Sequence, residues 1–88
     1  MKQVFKYELN TDDICKIIVP KNSVFLSVVK QNNWIVAYFL VDPNDTETRE
    51  VNFRIAGTGH PINEEHCKYF VGTVVIENEL IFHVFLIQ

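Results

Sequence analysis

The sequence predicts an all-β domain, either a small antiparallel sandwich or a partly open barrel of about seven strands, with at most one short helical turn. Apolar residues recur with a period of two along most of the 88-residue chain, and 48% of its residues are hydrophobic. Turn-forming residues separate the apolar stretches at short intervals, which favours local hairpins and antiparallel pairing. Periodicity alone does not separate a sandwich from a barrel, because strands alternate inward and outward residues in both.

Three strands are predicted in the first third of the chain. The stretch VFKYEL alternates apolar and polar residues and ends at the turn-forming NTDD. The stretch ICKIIV ends at Pro20, and SVFLSVVKQ follows as the third strand. Strict alternation in this third strand places Val24, Leu26 and Val28 on one face.

Four further strands follow, each bounded by turn signals. Asn32 and Asn33 suit a tight hairpin before WIVAYFLVD, because asparagine tolerates positive φ. Pro43 starts a polar corner, PNDTE, before REVNFRIA. Asn63 caps a single helical turn, NEEHCK, that precedes YFVGTVVIE, and a turn at 77–78 leads into ELIFHVFLI.

Length and charge limit the classes of function. The length predicts one domain over residues 1–88, and the formal charge of -3 argues against nonspecific binding to nucleic acid, which needs a basic surface. The N-terminal stretch lacks the apolar core of a signal peptide, and the longest apolar run, WIVAYFLV, is too short to span a membrane. We therefore expect a soluble intracellular protein with no membrane contact.

Two of the predicted strands, 34–42 and 79–87, are apolar on both faces. An antiparallel sheet in a small monomer normally offers one face to water, so two buried faces require a second covering layer. A second copy of the chain could supply that layer, and the sequence therefore predicts a homo-oligomer.

Residues for catalysis or metal binding do not form a recognisable pattern. The chain has no nucleophile motif and no phosphate-binding helix motif, so we expect neither an enzyme nor a cofactor. His60, His66 and Cys67 lie close in sequence but match no zinc spacing, and we expect no metal. His83 lies on a strand, where a hydrogen-bonded core histidine is the simpler interpretation.

The stretch RIAGTGHPI gathers residues that suit an anion. Two glycines allow backbone amides to converge on one point, a threonine adds a hydroxyl, and an arginine and a histidine add charge. A tyrosine that follows could stack on a base. The alternative is a plain corner between two strands. The candidate ligand-binding residues are Arg54, Gly57, Thr58, Gly59, His60 and Tyr69.

Four segments resemble, in content and order, a family of small proteins from bacteriophages and prophages. They are LVDP at 40–43, RIAGTGHPI at 54–62, YFVGT at 69–73 and IFHVF at 81–85. The resemblance covers nearly the whole chain. The family carries no assigned activity, so the resemblance implies a context and no catalytic residues. A short phage accessory protein of this kind is expected to act by binding a component of the host.

Under this resemblance we expect a non-enzymatic protein in the host cytoplasm that counteracts anti-phage defence by sequestering a nucleotide-type signalling molecule. The alternative is a protein-binding inhibitor of a host defence nuclease or sensor, including an anti-CRISPR-type inhibitor. The acidic corner DPNDTETRE, with Asp42, Asp45, Glu47 and Glu50, would then form the contact, although such a corner also suits an ordinary solvated turn. A minor structural phage protein is the third alternative.

Overall fold

The computed structural model describes residues 1–88 apart from the side chain of Asn78, and it confirms the all-β prediction. The seven strands are β1 (Gln3–Leu9), β2 (Ile14–Pro20), β3 (Val24–Gln31), β4 (Trp34–Val41), β5 (Thr48–Gly57), β6 (Tyr69–Ile76) and β7 (Leu80–Ile87). Single turns of 3-10 helix cover Glu64–His66 and Glu77–Glu79. Each predicted strand agrees with an observed one to within one residue at either end. None of the described residues forms a helix that is long and apolar enough to cross a membrane.

The strands form two antiparallel sheets that pack face to face, so the fold is a sandwich. One sheet has the order β1-β4-β3 and the other has the order β2-β5-β7-β6. Strands β5 and β6 both run antiparallel to β7, which lies between them. The connection 58–68 must therefore cross from one side of β7 to the other.

An aromatic cluster joins the two sheets at the centre of the core. Phe39 of β4 is fully buried, and its ring lies 5.5 Å from the rings of both Tyr7 and Phe25. Across the sandwich, Phe53 of β5 lies 5.7 Å from Phe25 and 6.5 Å from Phe39. These tilted and edge-on arrangements are the favoured geometries for aromatic pairs, and they fix the two sheets against each other.

Local sequence signals account for the tight turns. Asn32 and Asn33 have φ values of 51° and 64°, which confirms the predicted asparagine hairpin between β3 and β4. The side chain of Asn63 accepts a hydrogen bond of 2.8 Å from the Glu65 N–H, which confirms the predicted cap. The second 3-10 turn, before β7, ends at Glu79 with φ of 63° and replaces the simple turn that the sequence predicted at 77–78.

Strand β3 departs from strict alternation. Its register against β4 shifts between Phe25 and Ser27, which marks a bulge at Leu26. Phe25 and Val28 consequently both pack on the core, whereas alternation alone predicted opposite faces for them. Strand β6 has a similar shift at Val71. Both bulges lie on edge strands, where a bend in one strand costs least.

The outer faces of β4 and β7 are apolar, as the sequence indicates. On β4, Val36 is 1% exposed beneath its neighbours, while Trp34 is 54% exposed at the strand end. On the outer face of β7, the connection 58–68 provides partial cover. The single chain therefore covers part of both outer faces by itself, and the homo-oligomer stays a prediction.

Candidate functional site

The glycine loop folds as a closed β-turn. The Gly57 carbonyl accepts a hydrogen bond of 3.1 Å from the His60 N–H, and Gly59 has φ of 88°, as the third position of a type II turn requires. The His60 ring lies over Gly57 so closely that an added Cβ would stand 2.9 Å from its Cε1 atom. The two glycines therefore serve the turn and its packing, and the His60 amide is already engaged within the loop.

The Thr58 hydroxyl is also engaged within the chain. Its Oγ1 lies 2.8 Å from Nε2 of His83, whose Nδ1 lies 3.0 Å from Oγ1 of Thr73. This chain of hydrogen bonds ties the loop to β7 and β6. His83 is hydrogen-bonded, as expected, but it lies half-buried on the outer face of the sheet and not in the core.

Arg54 is buried beneath the connection 58–68. Only 8% of the residue is exposed, and its guanidinium donates to the carbonyl oxygens of Asp13 (3.3 Å), Pro61 (3.1 Å) and Ile55. The Asp13 carboxylate adds an ion pair at 3.6 Å. The guanidinium therefore holds the crossing connection onto the sheet, and it does not present its charge to a ligand as the sequence suggested.

Tyr69 lies far from the glycine loop. It pairs with Leu86 near the end of β7, whereas Gly57 pairs with Phe82 near the start of that strand. Phe82 and Leu86 are four residues apart, which corresponds to about 13 Å of strand. Of the six candidates, Gly57, Thr58 and His60 share a shallow, mostly apolar depression of about 410 Å³. The structure does not gather the six into one site.

The carboxylates of the acidic corner bind other groups of the same chain. The Asp45 carboxylate accepts hydrogen bonds from the N–H (3.0 Å) and the side-chain amide (3.3 Å) of Asn22, and Glu47 pairs with Lys21 at 2.8 Å. Asp42 accepts a hydrogen bond of 3.0 Å from the Asn44 N–H. These bonds fix the connection between β4 and β5 against the turn between β2 and β3, so the corner has a structural role.

A larger cleft, which the sequence did not indicate, opens between the two sheets at the end of β7. This inter-sheet cleft has a volume of about 620 Å³ and is lined by the starts of β3 and β5, by β4 and by the end of β7. Phe25 and Leu86 contribute apolar surface to its lining, and the fully buried Phe39 packs against Phe25, so the central aromatic cluster borders the cleft. The lining thus combines aromatic surface with polar groups.

Arg49 lines the cleft with an oriented guanidinium. Its Nε donates to the Lys21 carbonyl at 2.9 Å and one Nη donates to the Ser23 carbonyl at 2.7 Å. None of the ion pairs between described residues includes Arg49. Because a guanidinium carries five N–H donors, the remaining donors and the positive charge can serve an anion in the cleft.

Ser23 contributes a buried hydroxyl to the same lining. The residue is 5% exposed, and its Oγ has no hydrogen-bond partner among the described residues. Leaving a buried hydroxyl unpaired costs about 1–3 kcal/mol, and the described structure carries this cost at Ser23. Ser23 and Arg49 were not predicted from the sequence as candidate site residues, because only the pairing of β2 with β5 brings them together.

Glu50 is the other residue of the cleft lining with a charged side chain, and two neighbouring residues contact its carboxylate. Its carboxylate accepts a hydrogen bond of 3.0 Å from Asn52 and lies 3.6 Å from the Lys16 ammonium. The Asn52 hydrogen bond, together with the Lys16 charge, keeps the pKa of Glu50 below its ordinary value. Within the part of the chain that the structure describes, no group of three His, Cys, Asp or Glu side chains could hold a metal ion.

The role assigned to Arg54 predicts a loss of stability on its removal. Arg54→Met leaves three carbonyl oxygens without their donor, and we expect it to lower the free energy of unfolding by about 2–4 kcal/mol. The exposed ring of His60 makes no side-chain hydrogen bond in the described structure, so His60→Ala should change stability by less than about 0.5 kcal/mol. Urea denaturation of both variants provides the measurement. Wild-type stability of Arg54→Met would show that the hydrogen bonds of Arg54 to the three carbonyl oxygens do not stabilise the fold.

Comparisons with known proteins give a family and no function. No curated protein and no solved structure matches the chain. A family model described as a domain of unknown function, DUF7352, matches residues 1–88. Because this match spans the whole sequence, the chain belongs to the DUF7352 family.

Proposed function

We propose that this domain is a non-enzymatic binding protein that captures a nucleotide-type small molecule in the inter-sheet cleft. The observation that carries the proposal is the Arg49 guanidinium, oriented by two carbonyl oxygens and left without a carboxylate partner in the lining of an aromatic cleft. In line with the resemblance to phage proteins, the captured molecule is a signalling nucleotide of the host, which the protein withholds from its receptor in the host cytoplasm.

The size of the cleft supports a small organic ligand. A volume of about 620 Å³ falls within the range of roughly 300–1,000 Å³ that small-molecule sites in proteins occupy. Such sites combine a largely apolar lining with a few polar groups that fix orientation. The cleft combines the same kinds of group in more even proportion, because Phe25 and Leu86 meet several polar residues, Arg49 among them, in its lining.

The chemistry of the lining supports a ligand that joins a flat ring to an anionic group. Phe25, which is partly exposed, offers an aromatic surface for a base, and Arg49 offers donors that match phosphate oxygens. The Ser23 Oγ is buried behind the cleft surface, and under this proposal its side chain turns on ligand binding so that the hydroxyl donates to the ligand. Capture without conversion is the simplest use of this site, because no nucleophile with an adjacent base lines the cleft in the described structure.

The first test measures nucleotide binding directly. Isothermal titration calorimetry with cyclic di-AMP, cyclic di-GMP, a cyclic trinucleotide and cyclic ADP-ribose should show heat for at least one of them. Arg49→Gln removes the charge-assisted contacts and should weaken that binding by about 10- to 150-fold, equivalent to about 1.5–3 kcal/mol. Lys30→Gln makes the same charge change on β3 outside the cleft lining and should bind as wild type does.

Two results would remove this proposal. The first is the absence of heat with the whole panel at millimolar ligand. The second is binding that Arg49→Gln leaves unchanged while the variant remains folded. Mass spectrometry of the recovered ligand tests the non-enzymatic part, and the proposal expects every bound nucleotide to be recovered intact.

Ser23→Ala separates binding from stability. Removing an unpaired buried hydroxyl should leave the free energy of unfolding unchanged or raise it by up to about 1 kcal/mol, while nucleotide affinity falls roughly 2- to 10-fold. Ser27→Ala, in the same strand but outside the cleft lining, should leave affinity unchanged. Thermal denaturation and calorimetry on both variants measure the two effects. A large loss of stability in Ser23→Ala would instead assign its hydroxyl a structural role.

A further inference from the structure

The free edge of β2 carries a regular row of backbone groups that face away from the sheet. Strand β2 is the first strand of its sheet and pairs only with β5. The Asp13 carbonyl accepts a hydrogen bond of 2.9 Å from the Ile55 N–H, which sets the alternation of the ladder. Odd-numbered residues of β2 therefore bond to β5, and Ile14, Lys16 and Ile18 direct their N–H and C=O groups to the open edge.

This edge carries two features that limit pairing with other chains, Lys16 and the terminal Pro20, but its centre is open, because Ile14, Lys16 and Ile18 present their N–H groups there. Its register against β5 is continuous from Ile14 to Pro20, without the bulges that β3 and β6 carry. Lys16, the one charged side chain within the strand, pairs with Glu50. Ile14 and Ile18 are 46% and 54% exposed on the outer face beside it. An edge of this kind is a template for another strand.

We propose that β2 pairs antiparallel with β2 of a second copy of the chain, so that the two four-stranded sheets become one continuous eight-stranded sheet. The two-fold axis passes beside Ile17, which places Lys16 of each copy opposite Ile18 of the other. Both residues of that pair direct their backbone groups to the edge, so they exchange two hydrogen bonds at each of two symmetric positions.

Charge complementarity selects this register and this partner. With the axis at Ile17, Asp13 of each copy stands opposite Lys21 of the other, so an acidic and a basic residue meet at both ends of the new pairing. Within the chain Asp13 contacts Arg54 at 3.6 Å and Lys21 contacts Glu47 at 2.8 Å, but the Asp13 and Lys21 side chains are 90% and 55% exposed, so each can also interact with the opposite charge on the other copy. An axis at Lys16 would place two like charges opposite each other, which is unfavourable. This inference is independent of the ligand proposed for the inter-sheet cleft.

Sedimentation velocity over a range from low micromolar to several hundred micromolar protein tests the proposal. Ile18→Pro removes an N–H that faces the open edge and leaves the ladder to β5 intact, because proline is tolerated on edge strands. We expect the wild type to dimerise and Ile18→Pro to raise the dimer Kd at least tenfold. The matched control, Ile18→Thr, keeps the N–H and the β-branched side chain and should dimerise within a few-fold of the wild type.

A second pair of variants tests the register without altering the backbone. Lys21→Glu places a negative charge opposite Asp13 of the other copy and should weaken the dimer, whereas Glu47→Gln, which removes only the partner of Lys21 within the chain, should not. Far-UV circular dichroism establishes that each variant is folded. A wild type that stays monomeric across the whole range overturns the proposal, and so does a dimer that a folded Ile18→Pro and Lys21→Glu both leave unchanged.

Discussion

The packing of Phe39 against Phe25 and Phe53 is the contact on which the rest of the structure depends. Phe39 and Phe25 belong to one sheet and Phe53 to the other, and ring separations of 5.7 Å and 6.5 Å across the sandwich bring the two inner faces together. A chain of 88 residues can build one small core, so a compact aromatic cluster supplies much of its buried apolar surface. Phe25 also lines the inter-sheet cleft, so the contact that joins the sheets also shapes the proposed binding site.

Two arginines on β5 show how position decides between a structural and a binding role. Arg54 faces the outer side of its sheet, where the crossing connection covers it and three carbonyl oxygens occupy its donors. Arg49 lies five residues earlier, near the end of the sandwich, where two carbonyls orient it and a cleft borders it. Both side chains are fixed by backbone acceptors, but only the charge of Arg49 remains available. The acidic corner adds to this arrangement, because its contacts with Lys21 and Asn22 hold the turn that supplies the acceptors of Arg49.

The strands, the asparagine hairpin and the Asn63 cap could be predicted because each depends on neighbours in the sequence. The bulge at Leu26 could not, since apolar residues on both faces of β3 hide the change of alternation. The choice of a sandwich depends on which strands pair, which a period of two does not record. For the same reason, the sequence did not show that the six candidate residues lie apart. Arg54 is close to the glycine loop in sequence, but its side chain is buried and is not available to a ligand. Strand β7 separates the glycine loop from Tyr69. Ser23 and Arg49 meet through the pairing of β2 with β5, and no local sequence pattern predicts that contact.

The most direct measurement of the central claim is a map of where a nucleotide binds. Titration of ¹⁵N-labelled protein with cyclic di-AMP, cyclic di-GMP, a cyclic trinucleotide and cyclic ADP-ribose reports the position of contact through amide shifts in heteronuclear correlation spectra. We predict that a binding nucleotide shifts the amides of Ser23, Val24, Arg49 and Leu86 most strongly, because these residues line the inter-sheet cleft. Shifts confined to residues 57–60, or spectra that none of these nucleotides changes, would contradict it.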